Sequence, residues 1–265
     1  MHAALIVGAV VVMIPFAWTV STSLKDLATA FVFPPVWIPA PPHWENYPKA
    51  LTAQRFDRYF ANSVYVTTLD IVGRLISCSL VAFGFARLRW WGRDATFLLV
   101  LATMMLPFQI TMIPQFVLFK TLGWVDTFMP LWVPAFFGAP FHIFLLRQFF
   151  MTIPLELDDA ARIDGCSTFG IYWRIILPLA RPALAAVAIL TFQWSWNEFL
   201  TPLIYLNSLD KFTLPLGLRN FMGQFVTNWP YLMAASVAVM VPVLLVFFFA
   251  QKHFIQGVVF TGVKG

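Results

Sequence analysis

Four of the chain's twelve acidic residues fall between positions 156 and 164, in the stretch ELDDAARIDG, while long runs on either side carry no charge. Asp158 and Asp159 precede Arg162 by four and three residues, the order that exposed helical ion pairs prefer. Pro154 suits the first turn of a helix, because it has no N–H to leave unpaired there. Glu156, Asp158 and Asp159 then lie near the positive end of the helix dipole. Leu157, Ala160 and Ala161 make a small, flat opposite face. Gly165 can adopt the left-handed conformation that ends a helix, and Ser167 or Thr168 can begin the next. In that second helix Phe169, Tyr172, Trp173 and Ile176 recur at i, i+3, i+4 and i+7, an apolar stripe that Pro178 stops. A rigid helix, glycine turn and amphipathic helix would suit contact with another protein; the plainer alternative is a solvated loop.

Other polar residues stand inside apolar runs. Asp70 and Arg74 are four apart, and charges at membrane depth are costly unless paired or facing a wet interior. A structural ion pair and a place on a transport path both fit them. Trp194, Asn197, Glu198 and Thr201 have the spacing of one helix face. An indole ring beside hydrogen-bonding groups suits a sugar, whose C–H face stacks while its hydroxyls need partners. Packing against another subunit, with the polar groups as interhelical glue, fits equally. Asn62, Gln109 and Gln115 are weaker candidates for the same path. No catalytic, metal or cofactor site is expected: the histidines (2, 43, 142 and 253) are dispersed, and neither H-E-x-x-H nor G-x-x-x-x-G-K-[ST] occurs.

The elements that must position these residues belong in a bilayer. The chain is 60% hydrophobic and 11% charged, with mean hydropathy +0.78, against about 25% charged in soluble domains. Six spanning helices are expected, near 3–24, 60–86, 95–119, 127–146, 182–206 and 231–251. Between the first two lies a Pro-rich stretch, FPPVWIPAPPHWENYPKALTAQRFDRY, too broken for a regular helix. Prolines within the third and fourth spans imply a packed bundle, where neighbours satisfy the freed carbonyls. The first run lacks a basic leader and reads as a retained helix. Arg87, Arg89 and Arg93 share one tight connection, which places that loop, both termini and residues 147–181 in the cytosol. The excess of basic residues is scattered, so nucleic acid is not an expected partner. Cys78 and Cys166 do not suggest a disulfide framework. The reading is an all-α polytopic membrane protein with one domain, 1–265.

The spacing of Asp159-Ala160-Ala161, three residues, Gly165, nine residues, Ile175, one residue and Leu177-Pro178 resembles the EAA signature of ABC-importer permeases. Asp159 stands where that signature has Glu, which keeps the charge and shortens the side chain. FLLRQFFMTIPLEL, WSWNEFLTPLIYL, FTLPLGLRNF, LMAASVAVMVPVLLVFFFAQKHFIQG and the closing TGVKG are similar to blocks of the carbohydrate-uptake, maltose-transporter type. The likeness runs from about residue 62 to 265. It implies that 152–181 is a cytosolic coupling loop whose Asp159, Ala160, Ala161, Asp164 and Gly165 meet an ATP-hydrolysing subunit, and that the closing Lys-Gly reaches the same side. It also implies that 218–230, with Asn220, Gln224, Asn228 and Trp229, lies outside and approaches an extracytoplasmic solute-binding protein. A re-entrant interfacial segment is the bland alternative there. The implied assembly adds a second homologous permease and two ABC ATPases, and its cargo is a mono-, di- or oligosaccharide. A non-sugar solute such as glycerol phosphate, a polytopic membrane enzyme and a stand-alone channel are the competing readings.

Overall fold

Runs of leucine, valine, isoleucine and phenylalanine without charge can satisfy their backbone in lipid only by coiling into helices. The computed structural model describes residues 2–223 and 227–259, with side chains described to residue 250. The described residues form helices and turns, plus one isolated bridge between Met222 and Thr227. Gln224 and the closing TGVKG lie outside the described residues. Among the described residues, four helices are long and apolar enough to cross a membrane: His2–Ser23, Phe56–Arg87, Met129–Thr152 and Trp229–Ala250. Two bent pairs bring the number to as many as six.

The bends have chemical causes. The expected third span breaks by 96° between Arg93–Met105 and Phe108–Thr121. Pro107 lies at the break; it forces the residue before it, Leu106, into an extended conformation. In the expected fourth span, Met129–Trp132 passes into a 3-10 turn, Val133–Phe137, and then into Pro140–Thr152. The expected fifth span is also not one rod. A 76° bend between Thr168–Leu179 and Arg181–Asn197 precedes it, and within it the helix stops where Glu198 turns extended before Leu200–Tyr205.

Contacts group the chain into two units, one of residues 2–63 with 207–245, the other mainly of residues 64–206. In the first unit, His2–Ser23 exposes its apolar side chains along most of its length, as a helix facing lipid does. The Pro-rich stretch is more ordered than its composition suggests. It contains the helix Asn46–Ala53, whose Pro48 falls in the first turn, where an N–H would have no intrahelical acceptor. Buried Asn46 donates its amide to the carbonyls of Ser23 and Lys25, at 2.9 and 2.8 Å, and so closes the end of the first helix. The Lys25 ammonium sits 3.8 Å from the Trp18 ring centre.

The core of the second unit draws Cys78, Ala82, Phe83 and Phe85 from the long helix Phe56–Arg87, and Ile143, Leu146 and Phe150 from Pro140–Thr152. Ile171, Tyr172 and Ile176 complete it. This core therefore reaches into the charged loop, whose Ala161 belongs to it. Elsewhere in the same unit, Arg74 Nε donates to Asp70 Oδ1 at 2.9 Å, and Ser195 also bonds the Asp70 carboxylate. Asp70 is buried and Arg74 half-buried. Removing one partner would strand a buried charge, whereas removing both would not. Asp70→Asn alone should therefore lower the yield of folded protein more than Asp70→Asn with Arg74→Gln, as read by size-exclusion chromatography in detergent. A double variant worse than either single variant would show that the pair does something other than neutralise itself.

Candidate functional site

The charged stretch folds into the helix Glu156–Ile163. Pro154 stands before it rather than in its first turn, because Leu155 takes the cap position. The helix ends in a pair of crossed bonds: Cys166 N–H donates to Ala161 O at 2.8 Å and Gly165 N–H to Arg162 O at 3.0 Å. This arrangement needs a left-handed residue between them, and Gly165 supplies it with φ 76°. A Cβ at Gly165 would meet nothing within 4 Å, so conformation rather than space demands glycine. Ser167 starts the next helix by accepting the Gly170 N–H on its hydroxyl at 3.1 Å.

That second helix does not keep the expected stripe. After Thr168–Ile171 it widens into a π turn, Tyr172–Ile176, and it continues through Pro178 in Leu177–Leu179 to bend at Ala180. The wider turn rotates the register, so Ile171, Tyr172 and Ile176 are buried while Phe169 and Trp173 stay exposed, stacked with centroids 6.5 Å apart. Tyr172 shares a 2.8 Å hydrogen bond with Ser79 of the long helix and packs on Phe83.

The loop helix has two faces, and they differ from the expected division. Asp158 and Ala161 point inward, and Ala161 joins the core. Asp158 pairs with Arg87, 3.5 Å from its guanidinium, rather than with Arg162; both side chains are almost wholly buried. Burial pushes the Asp158 carboxyl above its ordinary range, and the Arg87 guanidinium opposes that. Arg162 instead pairs with Asp159 at 3.6 Å in the open. The outward face carries Leu157, Ala160 and Ile163, the last 87% exposed. Glu156, Asp159 and Asp164 flank them, exposed as well. Arg87 had been legible only as a charge that sets orientation; its burial depends on a partner 71 positions away in sequence.

The stripe Trp194, Asn197, Glu198 and Thr201 is not one helix face, because the helix ends at Asn197. Glu198 Oε1 accepts the Thr201 N–H at 3.0 Å and so opens the next helix, and Asn197 donates its amide to Gln193 O at 2.7 Å. Trp194 is 68% exposed, and Gln109 is exposed on its own helix. Asn62, in the first unit, is engaged: its amide donates to the carbonyls of Asp210 and Phe212. In the 218–230 segment, Asn220 donates to the Tyr59 hydroxyl at 3.3 Å. Asn228 Oδ1 accepts the Tyr231 N–H at the start of Trp229–Val259, and Trp229 packs edge-on against Phe31. All three therefore have work within their own unit.

Residues 78–259 match the family described as "Binding-protein-dependent transport system inner membrane component". The chain is 44% identical over 207 residues to the arabinooligosaccharides transport system permease protein AraQ of Halalkalibacterium halodurans, which spans 78% of this chain and 74% of the relative. AraQ of Bacillus subtilis is 39% identical over 208 residues, with the same shares. Among solved structures, one chain of a bacterial ABC transporter involved in the import of the acidic polysaccharide alginate matches with a TM-score of 0.85 and 25% identity. That match covers 96% of this chain and 94% of the other.

The left-handed turn gives a direct test. Gly165→Val should strain the turn by roughly 1–2 kcal/mol or more, since L-residues resist that conformation, whereas Gly165→Asn should be tolerated. Limited trypsin cleavage after exposed Arg162 should accelerate in the valine variant and stay near the wild-type rate in the asparagine variant. Equal rates in all three proteins would show that the turn does not hold the loop.

Proposed function

Because the chain belongs to the family of binding-protein-dependent transport system inner membrane components, we propose that it is the permease subunit through which an ATP-driven importer takes up a carbohydrate. The observation that carries this reading is the two-faced loop helix: one face is sunk in the core, and the other presents small and apolar side chains between carboxylates. A helix fixed on its inner side can transmit a push that a free loop would absorb. ATP is hydrolysed on partner subunits, and an extracytoplasmic binding protein delivers the solute. In this reading residues 1–265 act as one permease domain. Residues 152–181 are its coupling loop, facing the cytosol together with both termini. A second permease and two ATPases complete the assembly.

The docking surface in this proposal is Leu157, Ala160, Ile163, Asp159 and Asp164, with Gly165 setting its angle and Ala161 holding it from behind. The carbohydrate reading draws on the AraQ relatives and the alginate importer, whose names share a saccharide cargo. Trp194 is the strongest candidate for stacking on that cargo. The 218–230 segment is the proposed approach of the binding protein.

In a Cys166→Ser background, Ala160→Cys should cross-link to an ATPase subunit in the assembled complex, while Ala161→Cys should not, because its side chain points into the core. Absence of any cross-link at 160 would overturn the docking assignment. For the solute path, Trp194→Ala should leave the yield of assembled complex unchanged and cut uptake of a labelled arabinooligosaccharide. Lost yield would mean that Trp194 packs between subunits, and unchanged uptake would mean that it faces lipid.

A further inference from the structure

Arg87 ends the long helix Phe56–Arg87, and its guanidinium reaches both the loop helix and the chain just before it. Nη2 lies 3.5 Å from Asp158 Oδ1 and donates to Pro154 O at 3.4 Å. Both contacts are long for a charge-assisted bond, which settles near 2.7–2.9 Å. Among the described residues neither Asp158 Oδ1 nor Arg87 Nε has a hydrogen-bond partner, although both atoms are buried. The pair is enclosed but not saturated.

A second arginine holds the other side of the same elbow. Arg147 donates from Nε to Phe85 O at 3.4 Å, covers the Phe97 ring at 4.2 Å, and stands 3.9 Å from Asp94. Those contacts tie residues 85–97 to the helix Pro140–Thr152. Arg87 thus bridges from a braced helix end to the loop helix. Stability alone does not call for charges here, since apolar side chains of similar volume hold a buried seam as well or better. A charged pair with slack adds a directional, adjustable link between two rigid helices.

We propose that Arg87 and Asp158 are positioning residues for energy coupling: through them a push on the outer face of Glu156–Ile163 is delivered to the last turn of Phe56–Arg87. The inference rests on the reading of that outer face as the ATPase-docking surface.

The test uses the complete complex in proteoliposomes, with ATPase rates measured with and without the extracytoplasmic binding protein. Each variant also carries the Ala160→Cys cross-link as a report on docking. Arg87→Met and Asp158→Asn should each reduce the stimulation by the binding protein on the order of tenfold, within the usual range of coupling energies, with the cross-link retained. The exchanged pair, Arg87→Asp with Asp158→Arg, should recover most of it, and Arg87→Lys should recover part. Full stimulation in the single variants, or an exchanged pair no better than the singles, would overturn the proposal. If the single variants fail to assemble, Arg87→Met with Asp158→Leu decides, because it leaves no stranded charge. Assembly with lost stimulation supports coupling; full stimulation, or failure to assemble, overturns it. A missing cross-link in the otherwise unaltered protein would instead count against the docking reading and leave the fate of the pair to the stimulation ratios.

Discussion

The structure depends on a seam in which a polar loop is buried against an apolar bundle. Asp158 and Ala161 on the loop helix, and Ile171, Tyr172 and Ile176 on the next, enter the same core as Cys78, Ala82 and Phe83 of the long helix. Burial of a carboxylate is affordable there because Arg87 neutralises it, and burial of the Tyr172 hydroxyl because Ser79 bonds it. With the inner face committed, the outer one has no freedom of rotation. Leu157, Ala160 and Ile163 must face away, and Gly165 fixes the angle at which the chain returns.

The same logic explains why all but one of the loop's carboxylates face outward. Three carboxylates in the first turn favour the helix through its dipole, yet only Asp158 is withdrawn from solvent. Asp159, Glu156 and Asp164 remain outside, where they surround a patch too small to be a core of its own. In the proposed reading, a protein partner that covers this patch gains apolar contact at its centre and charge selection at its rim. That is the form a docking surface takes when it must be specific but separable.

Proline and glycine govern the rest. Pro107 breaks the third span, and Gly138, with φ 94°, marks the passage into Pro140–Thr152. Breaks of this kind survive in a membrane only where the surrounding protein takes up the freed backbone groups. A break with neither proline nor glycine at it redirects side chains too. The end of Arg181–Asn197 separates Trp194 from Thr201 and turns Glu198 from a candidate solute ligand into the residue that opens Leu200–Tyr205.

Much of this was legible in the sequence. Composition and apolar runs established an all-α membrane protein, because lipid leaves a backbone few other choices. The spacing around Asp159, Ala160, Ala161 and Gly165 announced the loop helix and its turn, since left-handed turns and helix starts depend on residues close in sequence. What the sequence could not decide was direction. Asp158 and Ala161 face inward, where a distant arginine and the core receive them, and Trp173 faces outward because a π turn shifts the register; neither follows from local periodicity. Arg87 and Asp158 each look like ordinary surface charges until the fold closes 71 positions between them. Only tertiary packing, which removes both from water at once, makes them a pair.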